Sequence, residues 1–193
     1  ATLFFFIAIK TNPIPNALTL LFVSPLIVAM LAPFVLGERF DIFIGIGVLV
    51  GFVGVVIVLQ PDTDQFKPSL LYALVAGFCY ALYIITTRKL SLSGPPLLTL
   101  FYTAIVGTLI LGPMAVSSWV VPDLVAVLMA AAMGLVAAIS HFMIIKSFEY
   151  ATASELSPFG YFEIVVAMVL SYFVFKFVPT SEAVVGLIII ISS

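Results

Sequence analysis

Long apolar segments alternate with short polar turns along the whole chain of 193 residues. A helix that spans a membrane needs about 20 mostly apolar residues, whereas a strand of a membrane barrel needs only about 10 with alternating polarity. The segments here are apolar on every face, and most have the length of a spanning helix. Eight helical segments are predicted, over residues 1–10, 17–36, 42–59, 69–87, 97–116, 124–145, 156–175 and 183–193. The predicted fold class is therefore all-α, a polytopic transmembrane helix bundle.

The few charged residues gather in the turns between these segments. A charge at the centre of a membrane helix costs roughly 2.5–3.5 kcal/mol on insertion scales, so charges are displaced to the water-exposed turns. The turn "GERFD" holds Glu38, Arg39 and Asp41 side by side, and "QPDTDQFKP", "TRKLSLSGPP" and "KSFEYATASE" hold most of the others. "KTNPIPN" ends the first segment, because its two prolines cannot continue a helix.

Composition supports a membrane protein and excludes several other classes. Apolar residues make up 64% of the chain and charged residues 8%, against about 45–50% and about 25% in soluble domains. The net charge of −2 gives no reason to expect a nucleic-acid partner. The single cysteine, Cys79, offers no metal-ligand spacing, and no catalytic or phosphate-binding motif is present. We therefore expect no enzyme activity, no metal and no cofactor.

Both ends of the sequence fall inside apolar runs. The chain begins at Ala1 without a charged segment before it, and it finishes with "GLIIIISS". Neither end resembles a natural terminus, and residues 1–10 lack the pattern of a signal peptide. The expectation from the sequence is a fragment cut inside two membrane helices.

Small residues at helical spacing predict where helices pack closely. Gly47 and Gly51 in the third segment form a small-xxx-small pair, and such pairs let helix backbones approach in lipid. Gly134 and its alanine neighbours suggest a similar face in the sixth segment. A weak internal echo is also present: the stretch from Leu31 aligns with the stretch from Leu170 at a shift of 139 residues. Such weak symmetry is typical of transporters built from repeated halves.

Two ionisable residues inside apolar segments are candidates for a substrate or proton pathway. Glu163 shares a helical stripe with Gly160, Ala167 and Ser171, and an acid inside a spanning segment is by default a functional hypothesis. His141 lies near the end of the sixth segment, and histidine titrates near neutral pH. The structural alternatives are a protonated acid bonded within the bundle and a histidine bonded to a neighbouring carbonyl.

Two further groups of residues leave alternatives open. Tyr80, Tyr83 and Thr87 share one helix face, where they line a polar cavity or else pack against lipid. Glu38 either caps the helix that follows it, since acids favour a helix N-terminus, or pairs with Arg39 or Lys146 and holds one state of a transport cycle.

The residues from Pro25 to Gly54 carry a resemblance to a known family. A proline mid-helix, the Leu36-Gly37-Glu38 turn and a helix rich in glycine, with Gly47 and Gly51, resemble the EamA domain of the drug/metabolite transporter superfamily. The second half resembles the same family in its histidine-containing helix and in the "ASELSP" turn that ends at Pro158. One departure is that Lys176 and Phe177 stand where the second repeat of the family often has a Gly-Glu turn.

The resemblance implies ten helices arranged as two inverted five-helix repeats. On that template residues 1–60 are the end of the first repeat (helices three to five), 61–68 a loop, and 69–193 the second repeat (helices six to ten, the last truncated). Two and a half helices would precede residue 1, so we expect the chain by itself not to transport.

The implied function is secondary transport of small metabolites, by import or export, with access alternating between the two membrane faces. The expected partners are a small solute, protons and the lipid bilayer, and the sequence leaves a homodimer open. The expected location is a bacterial-type inner (plasma) membrane. A different class also stays open at this point, namely a polytopic membrane scaffold or an intramembrane enzyme without transport.

The helix count makes a prediction about sidedness. "GERFD", "TRKLSLSG" and "KSFEYATASE" should lie on one side of the membrane, because an odd number of crossings separates each from "QPDTDQFKP". Cysteines placed at Arg39, Arg88 and Glu149 should share one accessibility to an impermeant reagent, and a cysteine at Asp64 should show the opposite one. A mixed pattern would contradict the helix count.

Overall fold

A computed structural model describes residues 1–39, 41–62, 64, 67–117 and 119–193, and the regular secondary structure of this part of the chain is helical. Short 3-10 turns occupy Pro68–Leu70 and Pro158–Tyr161. The α-helices are α1 (Thr2–Ile9), α2 (Ile14–Leu21), α3 (Ser24–Leu36), α4 (Ile42–Leu59), α5 (Leu71–Ser91), α6 (Pro96–Ser117), α7 (Leu124–Ser147), α8 (Ala153–Leu156), α9 (Phe162–Phe175) and α10 (Ser181–Ser192).

All eight predicted segments are helical, which confirms a helical membrane protein. Within the described residues, six stretches are long and apolar enough to cross a membrane: Ile14–Leu36, Ile42–Leu59, Pro68–Ser91, Pro96–Val116, Leu124–Ser147 and Ala153–Phe175. The second and seventh segments begin three residues earlier than the hydrophobic pattern predicted, because polar residues such as Asn16 and Ser154 belong to their first turns. Pro15 likewise lies in the first turn of α2, where a missing N–H is tolerated.

Two of the six stretches are broken near a proline. Pro25 follows the break between α2 and α3, where the N–H groups of Phe22 and Val23 turn back to carbonyls of α2. Pro158 opens the 3-10 turn between α8 and α9, and the Ser157 hydroxyl donates to the Ser154 carbonyl at 2.8 Å. That bond replaces the one that the proline nitrogen cannot make. Irregular backbone at membrane depth is found where it is buried in protein or lines a cavity.

The chain divides into two compact units, residues 1–85 with 152–193 and residues 86–151. In the first unit α4 packs along α10, with further contacts of α4 to α2 and α3 and of α3 to α8. The second unit contains α6 packed on α7. Most apolar side chains of α6 and α7 are exposed, as expected for surfaces that lipid would cover.

Close helix packing was predicted correctly for α4 and incorrectly for α7. A Cβ on Gly54 would lie 2.8 Å from the Gly186 carbonyl oxygen, and a Cβ on Gly51 would lie 2.6 Å from the Tyr161 ring. A Cβ on Gly47 would lie 2.9 Å from the Ser193 carbonyl oxygen. Gly134 differs, since no described atom lies within 4 Å of the corresponding position.

The 139-residue shift seen in the sequence also relates helix boundaries. Ile14 and Ala153 begin broken helices that end at Leu36 and Phe175, each 23 residues long. Asp41 and Thr180 then cap the next helices, accepting from backbone N–H groups at 2.8 and 3.2 Å. The residues that terminate the broken helices, Gly37 and Lys176, both have left-handed backbone conformations (φ +69° and +55°). The sequence echo therefore corresponds to a repeated backbone pattern.

The contact of α4 with α10 makes a prediction about stability. Gly54→Ala should lower the free energy of unfolding by about 1–3 kcal/mol, because the added methyl group meets backbone atoms that cannot move aside easily. Gly45→Ala on the same helix is the matched control, since a Cβ there has open space. Thermal unfolding in detergent measures both variants, and equal midpoints would contradict the prediction.

Candidate functional site

A groove of about 270 Å³ lies in the first unit against one face of α9. Its polar side chains are Glu163 and Ser171, and the other lining residues are apolar. They are Pro15, Leu18, Phe22, Val58, Leu59, Ile164, Ala167, Met168 and Phe177. Glu163, Ala167 and Ser171 are spaced four residues apart, so the stripe predicted from the sequence does face one common space.

Glu163 occupies the middle of its membrane stretch. It is the eleventh of the 23 residues of Ala153–Phe175, in the first turn of α9 just after the 3-10 turn. A helix N-terminus carries partial positive charge that favours a carboxylate. Among the described residues Glu163 has neither an ion pair nor a hydrogen bond. Glu163 therefore lines the groove without a described hydrogen-bond partner.

Three of the five pathway candidates, Glu163, Tyr80 and Tyr83, lie in the first unit. The rings of Tyr80 and Tyr83 stack with centroids 6.0 Å apart at 27°. Both tyrosines are half-buried. The residues that line the groove include Glu163 and neither tyrosine.

The other two candidates lie in the second unit. Thr87 is buried one turn beyond Tyr83 on the same helix. The Nδ1 of His141 lies 2.9 Å from the carbonyl oxygen of Ala137, one turn earlier on α7. This is the structural alternative that the sequence left open for the histidine.

The prolines of the predicted motifs meet near the breaks in the helices. A Cβ on Gly160, in the turn opened by Pro158, would lie 3.4 Å from the ring of Pro25. Tyr161 follows, fully buried, with its ring 6.3 Å from that of Phe22 at the other break. The two irregular backbone segments therefore pack against each other inside the first unit.

Glu38 has a role that neither sequence hypothesis gave it. Asp41, and not Glu38, caps α4. The described contacts of the Glu38 carboxylate are with the start of α8: it accepts from the N–H groups of Ala153 at 2.9 Å and Ser154 at 3.1 Å, and from the Ser154 hydroxyl at 2.9 Å. The partner lies 115 residues away in the sequence, so reasoning about neighbouring turns missed it.

Together with a local cap, Glu38 satisfies the whole first turn of α8. The Glu155 N–H donates to the Thr152 hydroxyl oxygen at 3.2 Å, and the Glu155 carboxylate accepts from the Thr152 N–H at 2.8 Å. This is a capping box, and its Thr-x-x-Glu pattern is visible in the sequence. The two remaining N–H groups of that turn, on Ala153 and Ser154, are the ones that Glu38 binds.

Contacts between the turns agree with the predicted sidedness. Glu38 joins the "GERFD" turn to the end of the "KSFEYATASE" turn. In the second unit the Arg88 guanidinium donates to the Phe148 carbonyl, which joins "TRKLSLSG" to the beginning of the same turn. At the other ends of the helices, Asn16 exchanges two hydrogen bonds with the backbone of Asp62, at 2.7 and 2.9 Å.

The described chain has several helices of spanning length. Two of them are broken beside prolines, and one carries an acid at a groove. These features define a polytopic membrane protein with the features of a transporter. The chain belongs to the EamA-like transporter family, which matches residues 1–60 and 67–193. This agrees with the resemblance found in the sequence. It supports the transporter class over a scaffold or an intramembrane enzyme.

Characterised relatives of this chain are named as metabolite transporters. An S-adenosylmethionine uptake transporter of Rickettsia prowazekii (strain Madrid E) is 31% identical over 179 residues, which cover 93% of this chain and 61% of that protein. A riboflavin transporter of Vibrio cholerae is 28% identical over 182 residues, covering 94% of this chain and 61% of that protein. The chain thus spans about three fifths of the length of these relatives.

A solved crystal structure has the same fold. It superposes with a TM-score of 0.84 at 19% sequence identity, and the match covers 98% of this chain and 70% of that one. At this identity the likeness shows the arrangement of helices and nothing about the transported solute.

Proposed function

We propose that this protein is a secondary transporter of small metabolites that works by alternating access. The observation that carries the proposal is the groove beside a broken helix with Glu163 at mid-span, in a chain of a transporter family. Transporter sites are typically built near the bilayer midplane from discontinuous helices, whose free ends and side chains bind solutes and coupling ions. Both features occur together in the first unit.

Protons are the coupling ion that we propose. An ionised acid at the middle of a membrane is costly, and the described residues offer Glu163 no basic partner. A proton neutralises the carboxyl group without any other ligand. Loading Glu163 from one face and releasing the proton to the other would couple solute movement to the proton gradient. The sequence contains no ATP-binding motif that would supply energy instead.

The solute class that we propose is a metabolite with a flat heteroaromatic ring. The relatives named for S-adenosylmethionine and riboflavin both carry solutes with such rings. The first unit also contains the stacked rings of Tyr80 and Tyr83, and an aromatic pair is worth about 0.5–1.5 kcal/mol beyond the area that it buries. Uptake across a bacterial-type inner membrane is the direction to test first, because the Rickettsia relatives are named as uptake transporters.

Solute flux into liposomes tests the proposal. The full-length protein is reconstituted, and uptake of radiolabelled S-adenosylmethionine and of riboflavin is measured against concentration. We expect saturable uptake that other flat heteroaromatic metabolites inhibit and sugars do not. Uptake equal to that of protein-free liposomes for a broad panel of solutes would contradict transport, and inhibition by sugars would contradict the solute class. Size-exclusion chromatography of the same preparation distinguishes a monomer from a homodimer.

Glu163→Gln tests the proton site. The amide keeps the shape and the hydrogen-bonding capacity of the side chain but does not titrate. A gradient of one pH unit supports about tenfold accumulation of a neutral solute when one proton accompanies it. The variant should lose that accumulation and keep solute exchange across the membrane. Glu149→Gln, which changes an exposed acid of a turn, is the control and should behave as the parent. Full pH-driven accumulation in Glu163→Gln would show that the residue is structural.

A further inference from the structure

We propose that the contact between Glu38 and the first turn of α8 is the gate that holds one membrane face of this protein closed. Glu38 is then a positioning residue of the transport cycle, since it binds the first helix of the broken stretch Ala153–Phe175, and Glu163 lies in the second helix of that stretch. The role of this contact as a gate rests on the proposed transport function. The contact itself is a feature of the fold. Three hydrogen bonds within 3.1 Å form it.

The gate lies at the opposite end of the membrane stretch from the mouth of the groove. Glu38 binds at Ala153, where the stretch Ala153–Phe175 begins. The groove runs from Glu163, at the middle of the stretch, to Phe177, just beyond its other end. Within the first unit, therefore, the Glu38 contact lies at one end of the stretch, and the groove lining lies between its middle and its other end. We infer that the contact closes the first end in one state of an alternating-access cycle.

The contact is suited to breaking and re-forming. Glu38 follows the end of α3 at a left-handed glycine, so it belongs to a turn at the membrane face and not to a packed helix core. In this contact it binds backbone N–H groups and a hydroxyl, and water can satisfy these groups when the carboxylate leaves. The capping box of Thr152 and Glu155 is independent of Glu38 and keeps the start of α8 helical. Opening this contact therefore does not require α8 to unfold.

The matching position of the repeated pattern has no equivalent group. The 139-residue shift places Phe177 where the first pattern has Glu38, and Phe177 lines the groove. A phenylalanine side chain cannot accept hydrogen bonds from a helix N-terminus. The far end of the unit therefore has no counterpart of the carboxylate at this position, and we expect the resting protein to favour closure at the Glu38 end.

Cysteine accessibility tests the gate without any need for transport. The full-length protein carries Cys79→Ser and serine at any other native cysteine, and one reporter cysteine is placed either at Ala32, fully buried near the end of α3, or at Ser171 in the groove. Labelling by an impermeant maleimide is measured separately from each face of the membrane. In the parent, the cysteine at position 171 should react from the far face and that at position 32 should be protected.

Loss of the carboxylate should reverse this pattern. In Glu38→Ala the cysteine at position 32 should react roughly 10- to 100-fold faster from the Glu38 face, because all three hydrogen bonds to the charged carboxylate are lost. The cysteine at position 171 should react more slowly from the far face. Glu38→Gln should give a smaller effect because the amide retains a single acceptor oxygen. Ser154→Ala, which removes one of the three bonds, should give the smallest effect.

Controls and contrary outcomes separate a gate from general stabilisation. Glu149→Gln should leave both reporters at parental rates, and Glu38→Asp should restore part of the protection. Faster labelling of both reporters together would mean that the contact only stabilises the fold, and unchanged rates would mean that it holds nothing closed. If Glu38→Ala does not yield folded protein, Glu38→Gln and Ser154→Ala decide between these outcomes. If the labelling pattern of the two reporters reverses in Glu38→Ala but the parent protein shows no solute flux, the result supports the gate and contradicts the proposed transport function.

Discussion

A membrane interior supplies no water to a backbone N–H or carbonyl group that lacks a partner, and the irregular parts of this protein are organised around that constraint. Straight helices satisfy it internally. At the second break the Ser157 hydroxyl replaces the bond that Pro158 cannot make, and the first turn of α8 is completed by Thr152 and by Glu38 from a distant turn. A broken helix, which a functional groove needs, is thus compatible with the bilayer because side chains pair with its exposed backbone groups.

The sequence was sufficient for the features that depend on a single segment. Length and apolarity predicted all eight helical segments, and glycine spacing predicted the close approach at Gly47 and Gly51. Two failures required knowledge of a partner. Gly134 has the same local pattern as Gly51 but no described neighbour, and Glu38 binds a helix 115 residues away. The capping role of Asp41 could have been predicted from the sequence, because Asp41 directly precedes an apolar run, in the position of an N-cap.

For the candidate site, too, the sequence predicted the features that depend on one helix and missed those that depend on packing between helices. The stripe of Glu163, Ala167 and Ser171 was readable from helical periodicity, and the structure places all three on one groove. That residues of α2 and α4 such as Leu18 and Val58 line the same groove was not readable, because no local pattern specifies how these helices pack. Nor did the sequence show that the groove would begin at a break in the helix. The cap at Thr152 fixes where α8 begins, and Pro158 cannot donate the hydrogen bond that would continue α8 as a regular helix. The 3-10 turn there follows from these two constraints.

The 3-10 turn Pro158–Tyr161 has a mechanical consequence. Two helices, α8 and α9, flank a short element with less favourable hydrogen-bond geometry, so bending is concentrated in it. Starting a new helical turn is slow and unfavourable because several backbone angles must be fixed for one bond. A preformed α8 avoids that barrier and can swing as a short rigid lever about the turn. Its motion would then belong to the class of hinge movements, which take microseconds to milliseconds.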